Sequence, residues 1–162
     1  MKAVTYQGSK NVQVKEVNDP KIKNSDDIIV KVTTSAICGS DLHLIHQMIP
    51  NMPTDYVIGH EPMGVVEEVG PDVTKLKKGD RVIIPFNVSC GQCWYCNNDI
   101  TSQCDNSNPH GEMGGFFGYS ETTGGYAGGQ AEYMRVPYGN FTPFKIPENC
   151  EVKPDRLGYV SE

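Results

Sequence analysis

The sequence predicts a mainly β fold, a barrel-like domain that carries one large irregular lobe. Apolar and polar residues alternate with period two through the first third of the chain, a pattern typical of half-buried strands. Seventeen glycines and eleven prolines indicate many turns, which favours short strands over long helices. A cysteine-rich stretch near the middle loses the alternation, and this stretch is the predicted lobe.

The elements follow from local patterns. Residues 2–6 and 12–17 alternate as two strands, and the Gly-Ser-Lys-Asn sequence at 8–11 predicts the hairpin turn between them. The strongest strand signal is at 27–36, which is rich in β-branched residues. Residues 38–46 are predicted to form a short helical turn. Further strands are predicted at 63–69, 81–85 and 131–136.

The predicted lobe covers residues 87–129, where cysteine, glycine and asparagine are concentrated. A loop excursion of about 40 residues requires an organising element or a function. We therefore expect a domain over residues 1–150 that includes this lobe. Residues 151–162 are charged and punctuated by proline, and they predict the start of a linker.

Length and charge limit the class of protein. A chain of 162 residues fits one domain that is large enough to fold without covalent cross-links. The net charge of −6, without a cluster of lysine and arginine, argues against nucleic acid or an anionic membrane as partner. The longest apolar runs reach about five residues, far below the ~20 that span a bilayer. The N-terminus has no signal-peptide core, so we expect a cytoplasmic protein.

Four cysteines carry the most specific signal in the chain. They have the spacing C-x2-C-x2-C-x7-C at Cys90, Cys93, Cys96 and Cys104. Four thiolates at this spacing can surround one ion tetrahedrally and leave no open position, which is typical of a structural zinc site. An iron–sulfur cluster uses similar spacings, and two disulfides or four unrelated thiols are further alternatives.

A second constellation is weaker by spacing alone. Cys38 begins a Cys-Gly-Ser-Asp-Leu-His run after the strongest strand, and His60 stands in a Gly-His-Glu run. Thiolate and imidazole suit an open, catalytic zinc site, and Asp41 is placed to orient His60. The alternatives are a buried structural cysteine, a structural histidine, and a helix N-cap role for Ser40.

Several blocks together resemble a known family. The blocks are C-G-S-D-L-H at 38–43, G-H-E-P-M-G-V-V-E-E-V-G at 59–70, the four-cysteine lobe, and G-G-Q-A-E-Y at 128–133. In this order they resemble the medium-chain zinc-dependent alcohol dehydrogenases and cover nearly the whole chain. The glycine-rich stretch at 111–129 resembles the glutathione-independent formaldehyde dehydrogenase branch. The resemblance implies a GroES-like barrel domain with a structural-zinc lobe.

The resemblance also implies the metal ligands. Cys38 and His60 match the first two ligands of the catalytic zinc, and Glu61 matches the family's glutamate beside the metal. Glu162 stands at about the position of the third ligand, where the alternative is a solvated chain terminus. Cys90, Cys93, Cys96 and Cys104 match the structural zinc site.

The implied reaction is dehydrogenation of a small-molecule alcohol, or reduction of an aldehyde or ketone, with NAD or NADP. Ser40 matches the hydroxyl that contacts the substrate oxygen, and His43 matches the outer member of the proton relay. Zinc lowers the pKa of the alcohol, and hydride passes to the nicotinamide. The specific alcohol or aldehyde, and the choice between NAD and NADP, are not readable from these residues.

The family's Rossmann domain is absent from this sequence, since no G-x-G-x-x-G follows a strand. We therefore expect the chain alone to be inactive, and its uncovered apolar surface to favour a homo-oligomer. Two alternatives from other classes are a stand-alone zinc-binding interaction module and an iron–sulfur electron-transfer protein.

Overall fold

The computed structural model describes residues 1–49, 52–111 and 114–151 and shows a mainly β fold. Its strands are β1 (Lys2–Tyr6), β2 (Val12–Glu16), β3 (Ile28–Ser35), β4 (Tyr56–Val57), β5 (Pro62–Val69), β6 (Arg81–Ile83), β7 (Asn87–Val88), β8 (Gly115–Phe116), β9 (Tyr133–Val136) and β10 (Phe144–Lys145). Its helices are α1 (Gly39–Ile45) and α2 (Trp94–Asn97), with 3-10 turns at Thr101–Gln103 and Glu121–Thr123. Within these ranges, every helix is too short or too polar to cross a membrane.

The strands form three antiparallel sheets. A five-stranded sheet has the order β10-β6-β5-β3-β9, a three-stranded sheet has the order β2-β1-β4, and β7 pairs with β8. Strand β3 is central to the core because Val30 lies opposite Val66 on one side and Met134 on the other. All three side chains are buried, and each contributes roughly 1.5–3 kcal/mol by leaving water.

The predicted strands of the first half are confirmed to within one or two residues at each end. The strand predicted at 81–85 ends at Ile83, because Pro85 has no backbone N–H to extend the ladder. The strand predicted at 131–136 starts at Tyr133, and Ala131 makes an isolated bridge to Ala3. Four two-residue strands were not predicted, since two residues cannot show a period: β4, β7, β8 and β10.

Helix α1 confirms the helical turn predicted at 38–46. Its N-cap is Cys38, whose N–H donates to the Asp41 carboxylate at 3.0 Å, so the N-cap alternative for Ser40 was wrong. Leu44 is fully buried and anchors the helix on the domain. Ser40 lies in the first turn, where its hydroxyl takes no part in capping.

Candidate metal centres

The four lobe cysteines meet in space. Their sulfur atoms all lie within 4.8 Å of one another, and three of the four residues are buried. Cys90 follows β7, Cys93 caps α2, Cys96 lies within α2, and Cys104 ends a 3-10 turn. Since thiolates at this separation suit a tetrahedral ion, the cluster is compatible with a structural zinc site.

Hydrogen bonds converge on the same sulfur atoms. The Cys90 N–H donates to Cys104 Sγ at 3.3 Å, and the Cys96 N–H donates to Cys93 Sγ at 3.4 Å. Cys90 Sγ accepts from the Gln92 N–H at 3.4 Å and from Asn106 Nδ2 at 3.3 Å. Donated hydrogen bonds stabilise the thiolate form, which is the form that binds metal.

The thiols of the cluster differ in pKa. Burial raises the pKa of Cys96 to about 12 and raises that of Cys104 as well. Burial also acts to raise the pKa of Cys93, but hydrogen bonds from the Cys96 and Asp105 backbone outweigh it and bring the value to about 7. A cation among the four sulfurs would favour deprotonation of all of them, because binding displaces protons.

Asn106 is expected to strengthen metal binding by the four cysteines, because its side-chain N–H donates to Cys90 Sγ. We expect Asn106→Ala to lower zinc affinity about 10- to 100-fold, the usual effect of losing a group that orients a ligand. Competition with a chromophoric chelator measures this. Asn98→Ala is the control, since the Asn98 side chain donates to the Trp94 carbonyl. Equal affinities of the two variants would contradict the expectation.

The second constellation also assembles. One ligand atom from each of Cys38, His60 and Glu61 lies within 4.8 Å of the other two. His60 and Glu61 are buried, and Cys38 is half-buried at the start of α1. Thiolate, imidazole and carboxylate are all zinc ligands, so the donor set fits that ion. The remaining predicted ligand, Glu162, lies outside the described residues.

Asp41 lies behind His60, as the sequence analysis predicted. Its Oδ1 is 3.2 Å from His60 Nδ1, and both side chains are almost fully buried. The other carboxylate oxygen accepts from the Cys38 N–H at 3.0 Å and from Gln130 Nε2 at 3.3 Å. A carboxylate in this place favours the proton on Nδ1, which leaves the Nε2 lone pair for a metal.

The two predicted relay residues lie on the same helix but in different surroundings. Ser40 Oγ is 3.0 Å from His60 Nε2, so the structure brings it to the ligand set. His43 is exposed, and its Nδ1 lies 3.1 Å from Met48 Sδ. The relay role of His43 therefore stays a prediction.

Tyr119 also belongs to this site and was not among the residues predicted from the sequence. Its hydroxyl donates to Ser40 Oγ at 2.8 Å and lies 3.4 Å from His60 Nε2. Its ring centroid is 4.9 Å from that of His60. Tyr119 lies in the glycine-rich stretch at 111–129, from which the sequence indicated only a family resemblance. An aromatic residue within such a run was the available signal.

Comparisons with known proteins agree with the geometry. The protein-family model of the alcohol dehydrogenase GroES-like domain matches residues 24–148 of this sequence. The chain is 70% identical over 162 residues to an uncharacterized zinc-type alcohol dehydrogenase-like protein, AdhB, of Bacillus subtilis, covering all of this chain and 43% of that protein. It is 38% identical over 162 residues to a glutathione-independent formaldehyde dehydrogenase of the same organism, covering 91% of this chain and 39% of that protein.

Among solved structures, the chain is similar to the alcohol dehydrogenase TADH from Thermus sp. ATN1. The TM-score is 0.91 at 39% identity, and the match covers all of this chain and 44% of that one. The chain thus spans less than half the length of the relatives it matches.

Proposed function

Because the chain belongs to the zinc-type alcohol dehydrogenases with a GroES-like domain, we propose that it is the catalytic domain of an NAD- or NADP-dependent dehydrogenase. Its substrate is a small alcohol, aldehyde or ketone. The observation that carries the proposal is the meeting of Cys38, His60 and Glu61 within 4.8 Å, with the Ser40 hydroxyl beside His60. A purely structural metal site would not need a hydroxyl beside its histidine ligand.

The two cysteine-containing sets have separate roles in this proposal. Cys90, Cys93, Cys96 and Cys104 hold a structural zinc ion that organises the lobe. Cys38, His60 and Glu61 hold a catalytic zinc ion, which supplies the Lewis acidity that lowers the pKa of an alcohol hydroxyl. Asp41 fixes the orientation of the His60 ring from behind.

The proton of the substrate leaves through side chains of α1. Ser40 lies in the first turn of the helix, beside the ligand set, and its hydroxyl both accepts and donates hydrogen bonds. His43 stands one turn further along the helix and is exposed to solvent, so it is the group that passes the proton to water in this proposal. Ser40 thus contacts the substrate oxygen, and His43 completes the path.

Hydride transfer needs a nicotinamide-binding site. We propose that this site lies in the part of the relatives that this chain does not cover. Apolar side chains on α1 and next to its two ends are exposed: Ile37 by 77%, Leu42 by 50% and Met48 by 65%. We propose that a nucleotide-binding domain covers this surface in the whole protein. Uncovered, the surface favours self-association, so we propose a homo-oligomer.

Metal analysis of the purified chain tests the proposal. We expect two zinc ions per chain in the wild type and one in His60→Ala, because loss of the imidazole leaves Cys38 and Glu61 an incomplete set. His43→Ala is the matched control and retains two, since the exposed His43 lies outside the ligand set. Iron or no metal in the wild type would contradict the proposal.

Activity provides a second arm of the same test. The chain alone is expected to reduce neither NAD nor NADP with simple alcohols, and fusion to the nucleotide-binding half of a close relative is expected to confer activity. Turnover by the isolated chain would contradict the assignment of the cofactor site to another domain.

A further inference from the structure

We propose that Tyr119 is a positioning residue for Ser40. When a metal ion is bound to His60, Tyr119 keeps the Ser40 hydroxyl directed at the substrate oxygen. The proposal rests on the proposed function of the Cys38 and His60 site and adds a residue to it. Tyr119 belongs to the glycine-rich part of the lobe, so the lobe contributes directly to the reacting centre.

The first step concerns the hydrogen bonds of Ser40. A serine hydroxyl has one proton to donate and two lone pairs that accept. The Tyr119 O–H donates to Ser40 Oγ at 2.8 Å, so the serine proton remains available for a second partner. That partner is His60 Nε2 at 3.0 Å, which accepts in the tautomer that carries the ring proton on Nδ1, the nitrogen 3.2 Å from Asp41 Oδ1.

The second step concerns what metal binding changes. The Nε2 lone pair that accepts from Ser40 is the same lone pair that a metal ion would use, and it cannot serve both. With a metal bound, Ser40 loses His60 as an acceptor. Among the hydrogen bonds of the described residues, the one from Tyr119 is then the remaining side-chain contact that holds Ser40. The freed proton is the one that meets the substrate oxygen.

The third step is the rigidity of Tyr119. Its ring packs against His60 at 4.9 Å and against Phe116 at 6.0 Å between centroids. The next residue, Ser120, is fully buried and has a backbone φ of 151°, a value that residues other than glycine rarely adopt.

Ser120 is held in that conformation by its own hydrogen bonds. Its carbonyl accepts from the Gly125 N–H at 3.1 Å and from the Thr123 N–H at 3.3 Å. Its hydroxyl pairs with the Thr122 hydroxyl at 2.6 Å. Backbone strain persists only where the surroundings impose it, and such strain concentrates at functional sites. The segment therefore holds the phenol in one place rather than presenting it on a free loop.

The test is the side-chain conformation of Ser40 in Tyr119→Phe, which removes only the hydroxyl. The matched control is Tyr126→Phe, from the same segment, whose hydroxyl donates to the Ser107 carbonyl at 2.6 Å. Zinc content is measured first, and two ions per chain are expected in all three proteins. Scalar couplings in selectively labelled protein then report the χ1 rotamers of Ser40.

In the zinc-loaded state we expect one Ser40 rotamer in the wild type and in Tyr126→Phe, and averaging over several rotamers in Tyr119→Phe. In the metal-free state Tyr119→Phe is expected to regain the single rotamer, because His60 Nε2 is again an acceptor. Substitution of Tyr119 by p-aminophenylalanine, which keeps a donor at the end of the ring, is expected to restore order in the zinc-loaded protein. A merely structural tyrosine would not show this dependence on metal.

A single Ser40 rotamer in zinc-loaded Tyr119→Phe would overturn the inference and leave the proposed function intact. If Tyr119→Phe loses zinc or fails to fold, the p-aminophenylalanine protein decides, and disorder of Ser40 there overturns the inference. A wild-type chain without zinc at Cys38 and His60 would instead overturn the proposed function, and the role of Tyr119 with it.

Discussion

Replacing Cys104 with serine is expected to remove one zinc ion per chain and to unfold the part of the lobe between Cys90 and Cys104. Cys104 is 3% exposed and closes the four-cysteine cluster. Between the four cysteines, the apolar side chains of Trp94 and Ile100 are exposed by 64% and 41%, so they contribute little burial. Metal binding then supplies much of the folding free energy of the lobe, as it does in small zinc domains.

The size of this effect follows from the role of the metal. Each kcal/mol lost lowers the Tm of a domain of this size by about 2–4 °C, so loss of a structural zinc ion is expected to lower the Tm by at least ~10 °C. Thermal unfolding and limited proteolysis measure the change, and new cleavage sites are expected within the lobe. Cys150→Ser is the control, because Cys150 is a half-buried thiol that packs beside Met63, Ile83 and Ile146.

A Cys104→Ser protein with unchanged zinc content and unchanged Tm would contradict the metal assignment. It would favour the alternative of unrelated thiols that happen to lie together. A brown wild-type protein that contains iron would favour the iron–sulfur alternative instead.

The parts of the fold that sequence predicts well are those with local signals. Strands β3 and β5 are eight residues long, so alternation and β-branched residues have room to appear. The spacing of the four cysteines likewise lies within 15 residues of sequence, and it predicts a cluster that the structure assembles. In both cases the residues that carry the signal lie close together in the sequence.

Features that depend on distant segments could not be predicted from local pattern. The contact between Tyr119 and His60 joins residues 59 positions apart, and nothing in the spacing of the glycines indicates it. Its physical basis is the close approach of two backbones, which shows only in three dimensions. Strand β4 was missed for a related reason, since two residues that pair with β1 carry no period of their own.

The close approach of the Gly59 and Gly118 backbones makes the site sensitive to substitution. Gly118→Ala is expected to disrupt the Cys38 and His60 site. Gly118 has φ of 74°, and an added Cβ would lie 2.6 Å from the Gly59 carbonyl oxygen and 2.9 Å from the Gly59 nitrogen. These are backbone atoms that cannot rotate away. Gly59 precedes His60, and Gly118 precedes Tyr119, so relief of the clash moves one of these two functional side chains away from the other.

The expected loss of stability in Gly118→Ala is about 3–5 kcal/mol, from a strained positive φ and an overpacked contact together. Gly79→Ala separates the two causes, because Gly79 has φ of 94° and nothing within 4 Å of an added Cβ. It is expected to lose about 1–2 kcal/mol from the backbone alone and to keep both zinc ions.

Thermal unfolding and metal content measured side by side distinguish the outcomes. We expect Gly118→Ala to lose the zinc held by Cys38 and His60 and to retain that of the four cysteines, because the atoms nearest the added Cβ all belong to Gly59. Equal destabilisation of the two glycine variants would mean that φ alone decides and that the backbone contact is relieved at little cost. Retention of both zinc ions by Gly118→Ala would mean that the ligand set does not depend on the path of the glycine-rich segment.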